Sequence, residues 1–72
     1  MIKVLVLIPT YNEAENIANL LNRLQQVRLD HANEFDIDIL IIDDGSPDKT
    51  VEIIKSLDLA KLRILQRTSK NG

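Results

Sequence analysis

Two short stretches hold most of the residues that could do chemistry. Pro9-Thr10-Tyr11-Asn12-Glu13 offers a phenol and a carboxylate close together, and Asp43-Asp44-Gly45-Ser46-Pro47-Asp48 offers three carboxylates around a glycine and a hydroxyl. A carboxylate in such a setting can accept hydrogen bonds from a base or a ribose, or bind Mg2+ or Mn2+ through oxygen. Tyr11 could stack on a base, and Glu13 could accept a hydrogen bond from one. Such a set suits a nucleoside better than bare phosphate, and the two common phosphate cradles, G-x-x-x-x-G-K-[ST] and G-x-G-x-x-G, do not occur. The same letters also read as structure, because Asp-Gly-Ser-Pro-Asp makes a good turn and helix cap unaided.

Each stretch closes an apolar run. Val4 to Ile8 is continuously apolar and branched, the pattern of a strand covered on both faces in a parallel sheet, and Pro9 is expected to stop it because proline cannot donate to a ladder. Asn12 with Glu15 three residues on reads as a capping pair for a helix over about Glu13 to Arg28. Its apolar positions Ile17, Leu20, Leu21, Leu24 and Val27 recur at helical spacing, with Asn16, Asn19, Asn22, Arg23 and Gln26 on most of the other faces. Residues 29–36 have no period and read as a connection.

A second strand is expected over Ile37 to Ile42, broken by Gly45, Ser46 and Pro47. Ser46 or Asp48 can cap a second helix with a stripe of Val51, Ile54 and Leu57, and Ile53 beside it. Residues 62–66 suit a third strand, and the polar tail after them ends in Asn71-Gly72, a turn signal.

Strand, helix, strand, helix, strand is the order of an α/β layer with a parallel sheet. Parallel strands joined by crossovers finish on the same side, so the two polar stretches are expected at one carboxyl edge, where open α/β sheets bind ligands. Alternation then places Asp43 on one face with Ile37, Ile39 and Ile41, and Asp44 on the other with Asp38, Leu40 and Ile42.

Composition narrows the class. The 72 residues permit a single domain, and one of this size buries only about 60% of the surface its unfolded chain exposes. Apolar and charged fractions of 44% and 28% are those of an ordinary globular protein. With one Phe, one Tyr and no Trp, aliphatic side chains must fill the core; with no Cys, neither disulfides nor thiolate metal sites can staple it. A net charge of −2 with scattered basic residues leaves no footprint for nucleic acid. The longest apolar run, residues 4–9, is far short of the roughly twenty needed to span a bilayer and lacks the flanks of a signal peptide, so a cytoplasmic location is expected. His31 in the connection and Arg63, Arg67 and Lys70 near the end read as solvated side chains, although the three cations could also meet an anionic ligand.

Residues 7–17, LIPTYNEAENI, and 39–50, ILIIDDGSPDKT, together resemble the amino-terminal part of family 2 glycosyltransferases of the GT-A fold, and within them most of all the polyprenol-phosphate (dolichol-phosphate) mannosyltransferases. The resemblance implies a Rossmann-like sheet, with residues 1–72 forming the first part of one catalytic domain. It also implies inverting transfer of a sugar from a nucleotide-sugar donor, GDP-mannose or a UDP-sugar, to a polyprenyl-phosphate lipid at the cytoplasmic face of a membrane. On the matching positions Pro9, Tyr11 and Glu13 would surround the base and ribose, joined by Ile41 and Asp43, with Asp44 assisting and Ser46 and Asp48 shaping the loop. Such enzymes use Mg2+ or Mn2+ at an Asp-x-Asp motif that comes later in the family, as does the acceptor machinery, so no catalytic residue is expected within these residues.

Two other readings remain open at this level. A non-catalytic nucleotide-binding module would keep Tyr11, Glu13 and Asp43 without needing an acidic metal motif downstream. A phosphoacceptor receiver domain shares the acidic strand end, but carries its acidic pair after the first strand and an aspartate after the third, where this chain has Gln66 and Arg67.

Overall fold

A computed structural model describes residues 1–46 and 48–67. Pro47 as a strand breaker, Lys70 as a candidate cation and the Asn71-Gly72 turn lie outside the described residues. The elements are β1 (Ile2–Thr10), α1 (Ile17–Asp30), β2 (Phe35–Asp43), α2 (Thr50–Ser56) and β3 (Leu62–Gln66). The strands form one parallel sheet in the order β1-β2-β3, with Thr10 opposite Asp43 and Asp43 opposite Gln66. The expected α/β order and the shared carboxyl edge are both present.

Pro9 does not stop the first strand, which runs on to Thr10. The Ile2 amide donates to Glu34 and the Thr10 carbonyl accepts from Asp44, so the even-numbered residues of β1 face β2. The nitrogen of Pro9 therefore lies along the free side of an edge strand, where a missing N–H costs no ladder bond.

Coverage of β1 on both faces is likewise corrected. The core is Ile17 and Leu21 from α1, Ile39 and Ile41 from β2, and Ile54 from α2, so both helices lie on the Ile39 face. Successive crossovers that step the same way across a sheet with one hand fall on one side of it. The opposite face shows Leu5, Leu7 and Leu65 to solvent, Leu7 at 55% exposure. Fully burying an isoleucine is worth about 1.5–3 kcal/mol, so a core this small holds the fold with little to spare.

The first helix also begins later than its spacing predicts. Asn12 takes a left-handed backbone with φ of 60°, which turns the chain sharply out of β1, and no Asn12–Glu15 capping pair forms. The Glu13 carbonyl accepts from Asn16 and Ile17, and regular helix runs from Ile17 to Asp30 rather than from Glu13 to Arg28. Only Ile17 and Leu21 of the expected stripe are fully buried, while Leu20 and Val27 flank it. The second strand outruns its expected bounds at both ends, and α2 closes before Leu57. Neither Ser46 nor Asp48 is the N-cap of α2, which is Lys49 with no side-chain cap bond; Asp48 lies one residue earlier, and its Oδ1 accepts the Thr50 amide at 3.0 Å.

At the opposite, amino-terminal end, Asp36 bridges Lys61 and Lys3, while His31 is exposed, 2.9 Å from Glu34 and edge-on to Phe35.

Candidate functional site

The two polar stretches meet at the carboxyl edge and are bonded to each other. Alternation along β2 turns Asp43 inward with Ile39 and Ile41, where it is 1% exposed. Both of its oxygens are in use: Oδ1 accepts the Thr10 hydroxyl at 2.8 Å and the Ser46 hydroxyl at 2.6 Å, and Oδ2 accepts the Ser46 amide at 3.0 Å. Burial pushes the Asp43 carboxyl up, but the Ser46 hydroxyl and amide, the Thr10 hydroxyl and the Gly45 amide together hold it below its usual value.

A second cluster begins at α2. Asp48 accepts the hydroxyl and amide of Thr50 on Oδ1 and the Ala14 amide on Oδ2 at 3.1 Å. The Thr50 hydroxyl bond, working against desolvation, leads the effects that hold the Asp48 carboxyl low. Thr50 is fully buried and its oxygen accepts the Glu13 amide at 3.0 Å, while Ser46 Oγ accepts the Asn12 amide at 3.0 Å. Three consecutive amides leading into α1 thus end on side chains of the second stretch. These amides precede the first helical turn at Ile17 and belong to no ladder, so the protein's own side-chain oxygens supply the partners they need.

The expected site residues therefore occupy different levels of the edge. Tyr11, at 56% exposure, and Glu13 are open to solvent, and Pro9 lies beside them on the exposed rim. Ile41 is in the core and Asp43 lies beneath the loop. Asp44 points away from Asp43, is exposed, and pairs with Arg67 at 3.1 Å from its Nε. A hollow of about 150 Å3 opens between the end of β1 and α1, lined by Ile8, Pro9, Thr10, Glu13, Asn16, Ile17 and Leu20. Small-molecule clefts are generally about 300–1,000 Å3, so this hollow is smaller than a complete site of that kind. A larger hollow of about 420 Å3 lies at the other end of the sheet beside Arg28, Phe35 and Lys61, away from both polar stretches.

The acidic residues of this edge do not fit a divalent cation. Asp43 and Asp48 spend their oxygens on hydroxyls and amides, Asp44 pairs with Arg67, and among the described residues no group of three acidic or histidine side chains could hold a metal ion. No chemical step is therefore assigned to a metal at these residues.

Sequence reasoning passed over Thr10 and Thr50. The available signal was the repeated pairing of an aspartate with a hydroxyl two or three residues on, Asp43 with Ser46 and Asp48 with Thr50, which is the spacing of side-chain turns.

A parallel βαβαβ layer with a polar carboxyl edge defines a Rossmann-like α/β protein. The family model described as Glycosyl transferase family 2 matches residues 5–72, and the chain belongs to that family. It is 41% identical to the polyprenol monophosphomannose synthase of Mycolicibacterium smegmatis over 97% of its length and 25% of that protein. It is 37% identical to the dolichol-phosphate mannosyltransferase of Pyrococcus furiosus, over 97% of its length and 19% of the relative. Over 74% of its length it is 42% identical to the UDP-N-acetylglucosamine--dolichyl-phosphate N-acetylglucosaminyltransferase of Methanococcus voltae, covering 18% of it. The chain thus spans a quarter or less of these curated relatives. No helix among the described residues is long and apolar enough to cross a membrane.

Proposed function

We propose that this chain is the nucleotide-binding half-site of a glycosyltransferase that moves mannose, or a related sugar, from a GDP-mannose-like donor to a polyprenyl phosphate at the cytoplasmic face of a membrane. The observation that carries this reading is the bonded carboxyl edge, which presents Tyr11 and Glu13 to solvent over Asp43 in a family 2 chain. Two of the relatives above are named for mannose transfer to a polyprenol or its phosphate, and the third for a UDP-sugar with a dolichyl phosphate. The acceptor class is common to all three names, and mannose is the more frequent sugar.

In this reading Tyr11 stacks on the base, Glu13 accepts from the base or ribose, and Pro9 bounds the hollow. Ile41 and Asp43 support these groups from below, and Asp44 lies at the rim. The acceptor phosphate oxygen bonds to the anomeric carbon as the bond from that carbon to the donor diphosphate breaks, and the diphosphate leaves with the electron pair. Configuration inverts. A phosphate acceptor is already anionic and needs little help from a general base. Residues 1–72 form the first part of the catalytic domain; they hold and orient the nucleoside and do not touch the reacting atoms.

Calorimetric titration of the chain with GDP and with UDP tests the reading. Weak binding is expected, with GDP preferred. Stacking on an aromatic ring is worth about 1–3 kcal/mol per base, so Tyr11→Ala should weaken GDP binding roughly 5- to 150-fold, and Glu13→Gln should weaken it less. Binding that ignores both substitutions refutes the assignment.

A further inference from the structure

The segment from Tyr11 to Glu13 leaves β1 without a strand beside it, and its shape is held from the second loop. The Asn12, Glu13 and Ala14 amides donate to Ser46 Oγ, Thr50 Oγ1 and Asp48 Oδ2 at 3.0, 3.0 and 3.1 Å. A hydroxyl is a strong acceptor when its own proton is already given to a carboxylate, since bonds in a chain polarise one another. Both hydroxyls meet that condition: Ser46 donates to Asp43, and Thr50 donates to Asp48. Two relays of amide, hydroxyl and carboxylate therefore run side by side from the arm into the loop. Thr50 has no exposed surface and cannot reach a ligand itself.

Resting on the nucleotide reading above, we propose that Thr50, with Asp48, is a positioning residue for the donor: it fixes the Glu13 backbone, and so the direction from which Glu13 and Tyr11 meet the base. Substitutions at these hidden positions should then weaken nucleotide binding as changes in the arm itself do. The relevant part of Thr50 is its hydroxyl, with the methyl contributing packing alone.

Thr50→Val removes the hydroxyl at nearly constant shape, and Thr50→Ser keeps the hydroxyl while removing the methyl. Amide hydrogen exchange followed residue by residue, together with GDP titration, separates the two contributions. In Thr50→Val the Glu13 amide should exchange at least about tenfold faster while the Ile39 and Ile41 amides keep their protection, and GDP affinity should fall about fivefold, the worth of one ordinary hydrogen bond. Thr50→Ser should remain within about twofold of the unmutated chain in both measurements. Unchanged Glu13 exchange in Thr50→Val, or equal losses in Val and Ser, overturns the proposal. If Thr50→Val does not fold, Asp48→Asn serves in its place: it must loosen the Ala14 amide and weaken GDP binding, and failure to do either overturns the proposal. If the unmutated chain binds no GDP, the nucleotide reading falls and the donor role of Thr50 falls with it, while the exchange rates still decide whether the relay exists.

Discussion

Thr10 and Asp43 are register partners on adjacent parallel strands, and the Thr10 hydroxyl donates to the Asp43 carboxylate at 2.8 Å inside the protein. This bond closes the sheet edge where the two polar stretches meet. It also gives one oxygen of a buried carboxylate a partner that burial would otherwise deny it.

Removing that partner should cost stability. Thr10→Val keeps the shape and leaves Asp43 with the Ser46 and Gly45 bonds, so a loss of about 1–2 kcal/mol is expected. Asp43→Asn should cost more, about 1–3 kcal/mol, because its amide nitrogen must face hydroxyl and amide donors. Urea denaturation reads both, and an Asp43→Asn chain as stable as the parent would show the carboxylate to be dispensable.

Acid should act on the same groups. The Asp43 and Asp48 carboxyls are held below their ordinary value of 3.8 in the folded chain. A depressed folded pKa stabilises fully above the unfolded value, and that stability is lost as pH falls through the folded one. The denaturation midpoint should therefore hold steady down to about pH 4.5 and decline below 3.8. Thr10→Val should show a smaller loss over the same acid range, because one of the bonds that depresses Asp43 is gone and its folded pKa lies nearer the unfolded one.

The left-handed turn at Asn12 gives a backbone test. Asparagine visits that region more readily than most residues, glycine visits it freely, and a β-branched side chain is penalised there by about 1–2 kcal/mol. Asn12→Gly should fold with nearly unchanged stability, and Asn12→Val should lose about that amount. Equal stability of the two variants in thermal melts would count against the observed φ of 60°.

The two sheet faces should respond differently to mutation. Ile41 is fully buried, so Ile41→Ala should cost about 2–5 kcal/mol, whereas Leu7→Lys on the open face should change stability by no more than about 0.5 kcal/mol. A large loss from Leu7→Lys in denaturant titrations would mean that the open face is packed in solution.

The sequence by itself determined the order of elements, the third strand to the residue, and the shared face of Asp43, Ile39 and Ile41, because periods of 3.6 and 2 are local properties that neighbouring letters record. Tertiary structure alone decided that Pro9 could stay in its strand, since only the sheet order makes β1 an edge. It alone decided which face of the sheet is packed, since the direction of successive crossovers is not written in any one segment. It also decided the bonds of the edge: the hydroxyls and amides that meet between the two stretches lie 33 to 37 residues apart, too far for local spacing to pair them. Ser46, Asp48 and Thr50 cap the approach to a helix they do not belong to, and Asn12, which by its spacing should have capped that helix, turns the chain instead.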